Sequence, residues 1–157
     1  CGGGAVEPRS QRRQRGGDCC GRRVAAGGSV AIAFAAGGVE VFMSLARDLV
    51  SLARDGNERQ KENAAGALCN LATNDDNEAV IVAAGGIEVF MSLARDGNAM
   101  QKGHAAAVLA NLADDDHKVA IAAAGGIEVL VSLARDGNEA QKEEAAGALW
   151  NLAINDD

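Results

Sequence analysis

The sequence contains no Tyr, a single Pro and only 3% aromatic residues. Hydrophobic residues nevertheless make up 48% of its 157 residues, so a core of ordinary domain size can form. That core has to be built from Ala, Leu, Val and Ile. Scarce proline beside 20 Gly favours short helices divided by glycine corners over a sheet. No apolar run approaches the roughly 18 to 20 residues that a membrane span needs, so no membrane insertion is expected. The four Cys form no disulfide framework: Cys1, Cys19 and Cys20 lie in an irregular leader, and Cys69 lies in an apolar helical run. The adjacent Cys19 and Cys20 lack metal-ligand spacing. A reducing compartment is expected, cytoplasmic or nuclear.

Charge is divided along the chain. Residues 1–28 carry six Arg against Glu7 and Asp18, a net +4, whereas the remainder carries nine basic and twenty acidic residues, a net −11. The acidic body should repel nucleic acid and anionic membrane, which leaves only the leader able to attract them. The leader has no aromatic side chain on which bases would stack, so a nucleic-acid partner is not expected. It reads as a disordered tail. The chain begins at Cys1, has its first Met at Met43 and ends in the middle of a repeating pattern, so it is expected to be part of a longer protein.

Internal repetition dominates the body. The run Gly-Gly-Ile-Glu-Val begins at Gly85 and again at Gly125, 40 residues later. Asp-Gly-Asn corners begin at Asp55, Asp96 and Asp136, and Asn-Leu-Ala runs begin at Asn70, Asn111 and Asn151. An earlier copy, Gly37-Gly38-Val39-Glu40-Val41, sits 48 residues before the next. Its helical motif occurs twice, as Ser44 to Asp48 and Ser51 to Asp55. Seven inserted residues advance a helix by about 700°, so both copies share nearly one face and a single longer helix can contain them. The chain divides into a leader (1–28) and repeats at 29–73, 74–113 and 114–157, the last without a C-terminal cap.

Each repeat resolves into three helices, which makes the protein all-α. The first is short and apolar: Val30 to Ala36, Glu78 to Ala84 and Lys118 to Ala124. Acidic groups precede the later two, Asp75-Asp76 and Asp114 to Asp116, where they can cap the helix and meet its dipole. After the double glycine, the second helix carries Ile127, Leu130, Val131, Leu133 and Ala134 at helical spacing. It ends in Arg135-Asp136-Gly137, whose Gly is available for a left-handed cap. The third opens with Asn57-x-x-Gln60, Asn98-x-x-Gln101 or Asn138-x-x-Gln141, a capping-box variant, and runs Ala145, Ala148, Leu149, Leu152 along its apolar face. No such unit buries its own apolar face, so the repeats must stack.

The run from Ile121 through Gly125-Gly-Ile-Glu-Val-Leu-Val, with Gln141 and Ala145-Ala-Gly-Ala-Leu-Trp-Asn-Leu-Ala153, resembles armadillo repeats, in particular those of plant and algal proteins. The resemblance covers about residues 29 to 157. It implies a right-handed alpha-alpha superhelix of about three repeats whose third helices line a concave groove for extended peptides. By position it assigns main-chain contacts to Asn70, Asn111 and Asn151, whose carboxamides offer the donor and acceptor that a peptide unit requires. Nuclear-import members of the family carry Trp four residues before this Asn. Here those positions are Gly66, Ala107 and Gly147, which argues against nuclear-localisation-signal binding. Trp150 points about 100° away, and it shares its repeat position with Cys69 and Ala110, where packing is expected rather than chemistry.

The Asn ladder has a second available role, bonding to a carbonyl of a neighbouring helix. One turn earlier lie Asn63, His104 and Glu144, with Glu62 and Glu143 beside them. They form either a mildly acidic strip for basic ligand side chains or simply a solvated helix face. His104 and His117 lie in different helices without accompanying ligands, so no metal is expected, nor any cofactor. The Asp runs lack the Gly and Glu of a calcium loop, and the double glycines lack the Lys-Ser or Lys-Thr of a phosphate cradle. Ser44, Ser92 and Ser132 recur with no matching base, and nearly every polar feature occurs three times where a catalytic residue would be singular. The expected function is therefore non-enzymatic: a protein-interaction scaffold, monomeric or part of a longer chain, that binds an extended peptide. The alternative is the substrate-recruiting segment of a larger ubiquitin-ligase-type protein.

Overall fold

A computed structural model describes residues 38–113 and 117–154. Their eight helices are α1 (Gly38–Asp55), α2 (Glu58–Leu71), α3 (Asp75–Ala83), α4 (Gly86–Asp96), α5 (Ala99–Leu112), α6 (Lys118–Ala123), α7 (Gly126–Asp136) and α8 (Glu139–Ala153). The expected helix at 30–36, the leader and Asp114 to Asp116 lie outside the described residues. The third helices α2, α5 and α8 pack side by side in chain order, and α1, α4 and α7 form a second row against them. One continuous apolar core runs between the rows, from Val50 to Ala148.

Helix α1 has 18 residues where α4 and α7 have 11, so the seven-residue insertion is absorbed as two further turns of one helix. Ala46 and Ala53, seven apart, are both fully buried, and Leu45 and Leu52 are both exposed. The two copies therefore share a face, as a 700° advance requires.

Both glycines of the corner are needed, for different reasons. Gly85 and Gly125 have φ of 81° and 80°, in the left-handed region that a Cβ disfavours. At Gly86 and Gly126 the obstacle is space. A Cβ there would stand 2.7 Å and 2.5 Å from the Cγ2 of Ile81 and Ile121, and 2.7 Å from their carbonyl oxygens. This contact lets the short first helix turn directly into the second, with α3 and α4 bent by 78°. The left-handed cap expected at the Asp-Gly-Asn corners is not formed. Gly97 and Gly137 are extended, with φ of −69° and −71°. Glycine is required there because a Cβ would meet the Leu93 or Leu133 carbonyl at 2.4 or 2.5 Å.

All three capping boxes form. Gln101 N–H donates to Asn98 Oδ1 at 3.0 Å, and Asn98 N–H donates to Gln101 Oε1 at 3.1 Å, with matching pairs at Asn57/Gln60 and Asn138/Gln141. The glutamine has a further use. The buried Gln101 Nε2 donates to the Glu58 carbonyl at 3.1 Å, and Gln141 Nε2 donates to the Ala99 carbonyl at 2.7 Å. Each therefore caps its own helix and ties it to the first turn of the preceding third helix. Gln101→Ala should cost about 1–3 kcal/mol, because two part-buried hydrogen bonds, to the Asn98 N–H and the Glu58 carbonyl, are lost at about 0.5–1.5 kcal/mol each. Gln60→Ala, at an exposed glutamine with no bond to another repeat among the described residues, should cost clearly less in urea unfolding.

The start of α3 differs from expectation. The helix begins at Asp75, three residues early, and its cap is Asn74, whose side chain accepts from Asp76 N–H at 2.9 Å. Asn77, buried in the first turn, donates back to the Leu71 carbonyl at 2.9 Å and satisfies the end of α2.

Candidate functional site

The candidate site is the surface along α2, α5 and α8, where the Asn ladder falls on successive helices. Asn70 is exposed and Asn111 half-buried. Neither side chain makes a hydrogen bond among the described residues. Asn151 is half-buried, and its Nδ2 donates to the Ala110 carbonyl at 2.8 Å. That carbonyl lies in the last turn of α5, where no intrahelical N–H remains to reach it. The ladder thus divides: Asn151 is engaged structurally, while Asn70 and Asn111 hold their full donor and acceptor capacity.

The strip one turn earlier is not a solvated face. Asn63 is exposed, but His104 and Glu144 are buried. The ring of His104 lies over Gly66, with its Nε2 3.5 Å from where a Cβ would stand. The physical reason is the side-by-side packing of third helices: this position points at the preceding helix and not into a groove. Asn63 is exposed because no described helix packs on that side of α2. His104 Nδ1 has no hydrogen-bond partner among the described residues. Of the positions before the ladder, Ala107 is buried and Gly66 half-buried beneath His104, whereas Gly147 is half-buried with nothing within 4 Å of its Cβ position. Only Gly147 retains the open space that a larger side chain would fill.

Other residues shape this surface without having been singled out. Gly103 also has nothing within 4 Å of its Cβ position, so α5 has open space at that point of its surface. Met100 and Trp150 are exposed. Packing at the shared position of Trp150 holds for Cys69, which is buried, and for Ala110 in part, but not for Trp150. A flat polar-and-small surface with two free carboxamides suits main-chain contacts to an extended partner. Its charge lies at Glu62, half-buried and bonded to Asn98 at 2.7 Å, and at the exposed Glu143.

Comparison with known proteins places this architecture. The Armadillo/beta-catenin-like repeat matches residues 114–154. An engineered protein of known crystal structure is similar over 68% of this chain and 44% of its own, at 37% identity and a TM-score of 0.65. A second engineered protein is 34% identical over 70% of this chain and 28% of its own, with a TM-score of 0.66. The chain therefore spans less than half the length of either. A designed armadillo repeat protein, solved in complex with the peptide (KR)4, shares the fold over 73% of this chain and 56% of its own, at 22% identity and a TM-score of 0.63. No curated protein matches the chain. The likeness, carried in sequence by residues 114–154 and in fold by almost three quarters of the chain, is to one architecture, the armadillo-like repeat fold.

Proposed function

We propose that this chain is a protein-interaction module that holds an extended segment of a partner across α2, α5 and α8, with Asn70 and Asn111 making the main-chain contacts. The observation that carries this reading is their pairing. Two carboxamides at the same position of adjacent helices, 41 residues apart, are left without an intramolecular partner among the described residues. The body's net −11 and the carboxylate of Glu143 favour basic side chains on that partner. The designed relative solved with (KR)4 supports the same choice by analogy of fold.

Two Asn making two hydrogen bonds each give roughly 2 to 6 kcal/mol, set against the cost of association, so binding should be micromolar or weaker. The test is fluorescence anisotropy with a labelled alternating Lys-Arg octapeptide. Asn70→Ala with Asn111→Ala should weaken binding at least tenfold while the circular dichroism melt is unchanged. Equal affinity of the double variant and the parent would overturn the reading. Asn151→Ala should instead lower the melting temperature, since its amide serves the end of α5.

A further inference from the structure

The cations of the acidic body are not spread evenly. Six of its nine basic residues fall at two repeat positions. Arg54, Arg95 and Arg135 lie in the last turn of each second helix, and Lys61, Lys102 and Lys142 lie near the start of each third helix. At both interior junctions these cations line a cleft with the next second helix. Between α4, α5 and α7 the cleft carries Arg95, Lys102, Glu128 and Ser132 over the buried Val129 and Leu133. Between α1, α2 and α4 the same positions supply Arg54, Lys61, Glu88 and Ser92. Both clefts lie wholly between described helices.

The two clefts differ in one arm. Arg54 Nη2 lies over the Gly85 corner, 3.3 Å from its Cβ position, with Glu88 Oε2 3.7 Å from the same point, and this cleft measures about 120 Å³. No atom of Arg95 comes within 4 Å of the Gly125 position, and that cleft measures about 500 Å³. One site is therefore closed by its own arginine and the other is open. None of Arg54, Lys61, Arg95 and Lys102 makes a hydrogen bond or ion pair with a described residue.

We propose that the open cleft takes a carboxylate side chain from an acidic segment of a partner, at a surface separate from Asn70 and Asn111. The guanidinium of Arg95 offers a carboxylate two parallel N–H donors, and the half-buried Lys102 adds a second positive charge. Glu128 is accounted for by the start of α7. Its Oε2 sits 3.6 Å from the Gly125 Cβ position, at the positive end of the helix dipole. The cleft is left with a net +1, which matches a singly charged carboxylate better than a doubly charged phosphate. The net −11 of the body does not prevent this, because at about 0.1 M salt exposed charges more than about 10 Å away are largely screened. Since the same cations recur at the neighbouring junction, a segment with several carboxylates gains a second contact that a free acid cannot make.

Amide NMR titration with an alternating Glu-Ala octapeptide tests the proposal, because it reads the clefts separately from the Arg-rich residues 1–28. Saturable shifts should centre on Lys102, Gly125 and Ser132, with weaker ones at Lys61 and Ser92. Arg95→Gln with Lys102→Gln should weaken the binding seen at Gly125 and Ser132 by about tenfold or more, with the circular dichroism spectrum unchanged. Arg47→Gln with Arg59→Gln removes two exposed charges outside both clefts and should change it by less than about twofold. Asn70→Ala with Asn111→Ala should leave these shifts intact, so this site stands or falls independently of the groove. No shifts at the clefts, equal weakening by the two charge-removing variants, or stronger shifts with acetate or inorganic phosphate than with the octapeptide would each overturn the proposal.

Discussion

Phe90→Ala is expected to remove about 3–5 kcal/mol of stability, the largest effect of any single truncation proposed for this chain. Phe90 is fully buried in α4, in the middle repeat, and it is a large side chain in a core otherwise dominated by Ala, Leu, Val and Ile. Small alanines around it cannot extend to fill the void, so the lost contacts are not recovered by repacking. Domains of this size are stable by only about 5–15 kcal/mol, so the variant loses a large share of the total. Its place in the stack makes the loss worse. Helix α4 touches α1 on one side and α7 on the other, so a weakened middle repeat uncouples both neighbours. Urea unfolding should show a lower midpoint and a broadened transition. An unfolding free energy within about 1 kcal/mol of the parent would contradict the packing described here.

Gly126→Ala is expected to cost about 1–3 kcal/mol, with an effect confined to one end of the molecule. The added Cβ would stand 2.5 Å from Ile121 Cγ2 and 2.7 Å from the Ile121 carbonyl, and the backbone atom cannot rotate away. The neighbouring Gly125→Ala acts differently, through its φ of 80°, at about 1–2 kcal/mol. Since repeats contact only their neighbours, either change should loosen α6, α7 and α8 while α2 to α5 keep their protection. Native-state hydrogen exchange separates the outcomes. Uniform loss of protection along the whole chain would show that the stack unfolds as one unit, against the repeat-by-repeat scheme.

Both predictions concern features that the sequence displays openly, and the reason is local. A glycine pair recurring at a fixed period, an Asn three residues before a Gln, and a seven-residue duplication each act within a turn or two of their own backbone. Their outcome therefore needs no knowledge of the neighbour. The capping boxes, the double-glycine corner and the extended α1 all formed for that reason. The glycine of the Asp-Gly-Asn corner was misjudged because its constraint is a contact with the Leu93 or Leu133 carbonyl, and not a φ that glycine alone tolerates.

The sequence by itself determined the helices, their period and their obligation to stack, because hydrophobic spacing and backbone sterics are properties of short segments. Only the tertiary structure decided which face of each third helix meets its neighbour. Helix α5 is so rich in Ala that it is apolar nearly all round, and periodicity cannot then choose a face. That choice buried His104 and Glu144, engaged Asn151 with Ala110, and gave Gln101 its second partner on Glu58. It also left Asn70 and Asn111 facing outward. Those facts depend on the rotation of one helix against another some 40 residues away, and that rotation is set by packing between repeats.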